Sequence, residues 1–189
     1  MARTFLIRHG KPAAAWGGGD ADPGLDIEGE AQAEFAARTL LNLPASERPV
    51  SVASSPLRRC LETARPLADA LGVRLEIVPE VGEIPTPRSL EPAARGAWLR
   101  QAFLGQWSAI EGDLDYEVWR QDVLAAVAAR PGSAVFSHFV AINGAVSLLE
   151  NTDQVIVFRP AHASITTLEV TDHRPRLVKL GTEAATGVL

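Results

Sequence analysis

Arg8 and His9 stand side by side directly after the apolar run Phe5-Leu6-Ile7. A guanidinium grips phosphate oxygens through a planar fork of donors. A neutral imidazole is a competent nucleophile toward phosphorus. Similar residue types return at comparable places further on. Ser54 and Ser55 follow the run Val50–Ala53, with Arg58 and Arg59 one turn later. Glu80 and Glu83 follow Arg74–Val78, and His138 follows Ser133–Ser137. A carboxylic acid can protonate a leaving alcohol. Two histidines, up to three arginines and an acid are the parts needed for phosphoryl transfer without a metal. Taken singly, each has a plainer reading: a strand-end histidine is usually structural, and an arginine or a loop glutamate is usually solvated. The constellation carries the chemistry.

Two other chemistries fit less well. Ser54 and Ser55 with His138 could suggest a serine hydrolase, but no G-x-S-x-G elbow is present. Two histidines and two acids could suggest a metal site. The arginines would repel a cation, and no H-x-x-x-H spacing occurs. No metal and no other cofactor is therefore expected.

These residues need elements to position them. Thr4–Ile7, Val50–Ala53, Arg74–Val78, Ser133–Ser137, Gln154–Phe158 and Ser164–Val170 read as strands. Asp26–Leu43 reads as a helix with Ala33, Ala36, Ala37, Leu40 and Leu41 on one stripe. Ser55–Gly72 reads as a second helix, with Ser55 as N-cap, Pro56 at its first position, a kink at Pro66 and Gly72 as stop. Phe139–Glu150 reads as another. Alternation of strands and helices predicts an α/β fold: three α/β/α layers on a mostly parallel sheet of about six strands, with helices on both faces. Ligands of such sheets bind beyond the carboxyl ends of the strands, which is where the candidate residues fall. The stretch from about 89 to 130 breaks the rhythm with two helical runs and reads as a helical excursion on a single domain spanning 1–189.

The remaining composition sets bounds. A chain of 189 residues with 47% apolar and 22% charged residues is ordinary for a globular protein. Its net charge of −5 gives no general attraction to nucleic acid or to an anionic membrane, so neither is expected as a partner. The lone Cys60 cannot form an intramolecular disulfide, which suits a reducing, cytoplasmic setting. The N-terminal apolar run is too short for a signal peptide. The expected partner is a small phosphorylated substrate, with a phosphoprotein still open, and the chain is expected as a monomer or homodimer.

Four segments in order resemble the histidine phosphatase, or phosphoglycerate mutase-like, superfamily: "LIRHG", "DPGLDIEGEAQA", "SSPLRRCLETA" and "VFSHFVAIN". A fifth, "HASIT", resembles the strand segment that closes the site, so the likeness runs from Phe5 to about Thr167. The resemblance implies that His9 becomes a phosphohistidine, and that Arg8, Arg59 and His138 bind the phosphoryl group. It implies Glu83 as proton donor and then base, with Glu80 as runner-up, because the Trp-Glu-Gly stretch usual after the acid is absent here. Helical periodicity alone does not choose between Arg58 and Arg59; the family pattern selects Arg59. Lys11 stands in place of a usual glutamate, and His162 in place of a small or amide residue; both are candidate substrate contacts. Trp16–Asp22, with three glycines, reads as a flap. The implied activity is metal-independent phosphomonoester hydrolysis. A mutase-type phosphotransferase and a weakly catalytic phospho-ligand binder are the alternatives.

Overall fold

The computed structural model describes residues 2–14, 20 and 22–184, with Pro92 described in its backbone alone. Its strands are β1 (Ala2–Arg8), β2 (Ser51–Ser54), β3 (Leu75–Ile77), β4 (Ser133–Ser137), β5 (Ile165–Thr171) and β6 (Arg174–Lys179). Its α-helices are α1 (Ile27–Leu41), α2 (Arg58–Leu71), α3 (Arg95–Phe103), α4 (Tyr116–Ala128) and α5 (Phe139–Leu149). The six strands form one sheet in the order β3-β2-β4-β1-β5-β6. The first four are parallel to one another. β5 runs antiparallel to β1, and β6 antiparallel to β5. The sheet is thus mixed, and the antiparallel turn at β5 matters. It starts beside the end of β1, with Ile7 opposite Ile165, so the segment before β5 reaches the same edge as the ends of β1, β2 and β4.

Strand alternation sorts the core to two faces. Phe5 and Ile7 of β1, with Ala134 and Phe136 of β4, pack against Ala37 and Leu40 of α1 and Ala64 and Leu67 of α2. Leu6 and Val135 face the other way, onto Val123 and Val127 of α4 and Ile142 and Val146 of α5. Leu6 and Ile7 are fully buried, each contributing about 1.5–3 kcal/mol relative to exposure. That anchoring holds Arg8 and His9 at a rigid strand end. A third cluster, with Leu99, Trp107 and Tyr116 from the 89–130 stretch, packs on Phe139 and Val140 at the start of α5. The excursion therefore braces the helix that His138 precedes. Its α4 also forms part of the layer over the sheet.

Several boundaries differ from the sequence expectation. Gln154–Phe158 is not a strand. The side chain of Asn143 accepts from the amides of Val157 and Phe158, 2.8 and 3.1 Å away, so a helix side chain replaces a ladder. An apolar run that packs as a buried loop cannot be told from a strand by composition. The sixth strand is instead Arg174–Lys179, an alternating polar edge strand. It is joined to β5 by Asp172 and His173, both at positive φ (48° and 59°), the conformation a tight hairpin requires. Helix α2 starts at Arg58, with Leu57 rather than Ser55 at its N-cap, and continues through Pro66. Gly72 stops it as expected, at φ 66°. Among the described residues, no helix is long and apolar enough to cross a membrane.

Candidate active site

Arg8, His9, Arg59, Glu83, His138 and His162 converge at the carboxyl edge of the central strands. His9 is held on both sides by main-chain bonds: its amide donates to Ser137 O at 3.0 Å, and its carbonyl accepts from Ala163 N at 3.3 Å. Its Nδ1 lies 2.7 Å from Gly10 O. A carbonyl only accepts, so Nδ1 carries the hydrogen and Nε2 keeps its lone pair. Burial, then the charges of Arg59 and Arg8, hold the imidazole well below its ordinary pKa. His9 is therefore neutral at neutral pH, with one nitrogen free to attack an electrophile.

Two buried guanidiniums flank it. Arg8 donates from Nη1 to Pro160 O at 2.8 Å, and its guanidinium carbon sits 5.1 Å above the ring of Phe139. Its Nε is buried with no hydrogen-bond partner among the described residues, a donor left open. Burial, opposed by Glu83 and reinforced by Arg59, lowers Arg8 to about 10, so it stays charged at neutral pH. Arg59 donates from Nη2 to His138 Nδ1 at 3.2 Å. Its helix is tied to the loop after His9 through Thr63, whose hydroxyl donates to Arg59 O at 2.6 Å and accepts from Gly10 N at 2.9 Å. Arg58, one position earlier, points outward and pairs with Glu62 at 2.7 Å. The two arginines that periodicity could not separate are thus separated by burial.

His138 is fully buried. Burial, then His9, Arg59 and Arg8, hold it well below the ordinary imidazole range. Its Nδ1 lies 3.7 Å from Glu83 Oε2. Burial raises Glu83, while the amide of Ile84 and the charges of Arg59 and Arg8 pull it back. A carboxyl so raised can hold a proton where an exposed one has lost it. Glu80 is exposed on the 79–81 turn, so of the two acids it is Glu83 that the fold brings in.

His162 comes in from the antiparallel side, its ring 5.8 Å from that of His9. Burial and Arg8 lower it to about 4, so it too is neutral at neutral pH. Lys11 is not brought to the cluster. It lies at the surface, bound to Glu28 at 2.6 Å and Asp26 at 3.3 Å. Gly10 follows His9, where a glycine lets the backbone approach a ligand closely. The structure gives another reason for it: a Cβ there would stand 2.6 Å from Gly29 O, so α1 itself demands the glycine. Of the flap at Trp16–Asp22, residues 16–19 and 21 lie outside the described residues. Asp22, whose placement sequence spacing does not reveal, accepts from Arg58 N at 3.0 and 3.1 Å, and one oxygen lies 3.8 Å from Arg59 Nη1. Ser55, expected as a helix cap, lies ahead of α2; its Oγ accepts from Leu57 N at 3.3 Å and lies 2.8 Å from His138 Nε2.

One mixed sheet with helices on both faces is the phosphoglycerate mutase-like α/β fold. The chain belongs to the histidine phosphatase superfamily, whose branch 1 family model matches residues 4–183. Among curated protein sequences none matches the chain. Solved structures with the same fold include an α-ribazole-5′-phosphate phosphatase, described as putative, from Escherichia coli, at TM-score 0.74 and 21% identity over 100% of this chain and 99% of that one. A phosphoserine phosphatase from Entamoeba histolytica, solved with 3-phosphoglyceric acid, gives 0.73 and 19% over 96% and 98%. A mycobacterial glucosyl-3-phosphoglycerate phosphatase, solved with inorganic phosphate, gives 0.71 and 20% over 97% and 98%.

Proposed function

We propose that the protein is a metal-independent phosphomonoesterase that works through a phosphohistidine on His9. The observation that carries this reading is a neutral, tautomer-fixed His9 held between two buried arginines. Arg8, Arg59 and His138 receive the phosphoryl oxygens. The lone pair on His9 Nε2 attacks phosphorus, the P–N bond forms and the ester P–O bond breaks. Glu83 gives its proton to the departing alkoxide. The carboxylate left behind then takes a proton from water, whose oxygen attacks phosphorus and releases inorganic phosphate and free His9. Membership in the superfamily and the three phosphatases that share the fold support the class of reaction. One domain and one small phosphorylated substrate suffice for it.

In this reading the guanidiniums do the electrostatic work that a metal does in other phosphatases. Hydrolysis of p-nitrophenyl phosphate is therefore expected to be unchanged by EDTA. Loss on chelation, restored by a divalent ion, rejects the metal-free mechanism.

A mutase must hold its phosphoenzyme away from water and grip a second anionic group of its substrate. Lys11, the next cation along the chain after Arg8, is already bound to Asp26 and Glu28. Asp22 places a carboxylate beside Arg59. Water is expected to intercept the phosphohistidine. A phosphorus NMR time course on 3-phosphoglycerate, with and without 2,3-bisphosphoglycerate, should show any turnover as inorganic phosphate. Rapid formation of 2-phosphoglycerate with negligible free phosphate would make the protein a mutase.

A further inference from the structure

His138 is partnered in the free protein by groups that leave only one arrangement of its hydrogen. A guanidinium N–H can only donate, and Arg59 Nη2 lies 3.2 Å from Nδ1. Nδ1 therefore accepts, and the single hydrogen of a neutral ring sits on Nε2. From there it donates to Ser55 Oγ at 2.8 Å. This is the wrong tautomer for holding a phosphoryl group. A phosphate oxygen at Arg59 would meet the Nδ1 lone pair, acceptor against acceptor. The alternative of an imidazolium is opposed by full burial and by the positive charges of Arg8 and Arg59, the groups facing the ring together with Glu83, His9 and Cys60.

From the Ser55–His138 contact we infer that Ser55 is a positioning residue whose hydroxyl reverses its role when the phosphoryl group binds, switching His138 to the tautomer that donates from Nδ1. It holds only if the phosphoryl group binds among Arg8, Arg59 and His138, as proposed above. A hydroxyl is one of the few side-chain groups that can do this, because it both accepts and donates. In the free protein Ser55 Oγ accepts from Nε2–H and, at 3.3 Å, from Leu57 N. With ligand bound, Arg59 turns its Nη2 to a phosphate oxygen. Nδ1 gains a hydrogen and Nε2 loses one, both exchanged with solvent as the ligand enters, so the ring stays neutral. The Ser55 O–H then rotates to donate to the bare Nε2, while Leu57 N still donates to its oxygen. Ser55 is fully buried and lies on the first loop after β2, so its packing holds the hydroxyl beside Nε2 in both states.

The test reads the tautomer itself. Protein labelled with 15N-histidine is examined at neutral pH by long-range 1H–15N correlation, free and saturated with inorganic phosphate, with binding followed by phosphorus line broadening. The His138 hydrogen is expected on Nε2 in the free protein and on Nδ1 in the complex. In Ser55→Ala the hydrogen should stay on Nε2, and turnover of p-nitrophenyl phosphate should fall about 10- to 100-fold, the scale on which loss of a histidine-orienting partner is felt. Ser55→Thr keeps the hydroxyl and should keep both the switch and the turnover. An unchanged ring in the wild-type complex, hydrogens on both nitrogens, or an alanine variant that switches and turns over normally overturns the inference. If the alanine variant does not fold, the wild-type and threonine spectra decide. A switch without hydrolysis of any ester defeats the phosphatase reading and upholds the role of Ser55; hydrolysis without a switch does the reverse. Failure of phosphate to bind defeats both.

Discussion

His9→Ala is expected to lower hydrolysis of every phosphomonoester by about six orders of magnitude, the scale seen when a nucleophile is removed and only binding and charge stabilisation remain. The imidazole has no understudy. His138 is engaged through both nitrogens, with Ser55 and Arg59. His162 is nearby, but among the described residues no backbone carbonyl fixes its ring as Gly10 fixes that of His9. Wild-type protein quenched during turnover of a labelled substrate should carry acid-labile, alkali-stable phosphate on His9. The same environment sets the acid side of the rate profile. His9 must be neutral to attack, and burial with Arg59 and Arg8 holds its pKa well below the usual imidazole range. Activity should therefore persist as pH falls through the range where an ordinary histidine charges, and be lost only further down. Wild-type turnover by His9→Ala would reject the mechanism.

Glu83→Gln is expected to separate substrates by their leaving groups. For alkyl phosphates, whose alkoxide needs a proton, turnover should fall about 10²- to 10⁴-fold, the usual range for a general acid. For p-nitrophenyl phosphate, whose leaving group hardly needs one, the fall should be much smaller. The sign of the pH effect follows from burial. Glu83 is raised above the ordinary carboxyl range, so it stays protonated further up the scale. The rate on alkyl phosphates should drop only as pH climbs through that raised value. The glutamine variant should lose this limb. Glu80→Gln should change neither the rate nor the limb, because Glu80 lies exposed on the 79–81 turn. If Glu80→Gln shows the leaving-group pattern and Glu83→Gln does not, the acid is the wrong one.

Much of the site was legible because strand ends are legible. The apolar runs before Arg8 and His138 form buried strands, and a residue directly after a buried strand of such a sheet lands at its carboxyl edge. The helical stripe of α1 likewise buries Ala33, Ala36, Ala37 and Leu40. Failures came where the signal was not periodic. Arg174–Lys179 is polar enough to pass for a loop, yet pairs with β5 at the sheet edge. Gln154–Phe158 is apolar enough to pass for a strand, yet takes its hydrogen bonds from Asn143.

What the sequence by itself determined is the inventory and its first coordinates: an imidazole and a guanidinium on the end of one strand, a second imidazole on the end of another, and an arginine one turn into a helix. Those placements are local, because a residue's distance from a strand end is counted along the chain. Which of two neighbours faces inward is not local. Arg59 rather than Arg58, and Glu83 rather than Glu80, were chosen by what each side chain meets: buried His138 in one case, solvent or a surface partner in the other. The antiparallel entry of β5 brought His162 to within 5.8 Å of His9. The fold brought the ring of His138 to Ser55, expected only as a helix cap. These outcomes belonged to the tertiary structure, since each depends on groups some 55 to 153 residues apart in the chain, and burial acts on a pKa only once the walls that exclude water have assembled.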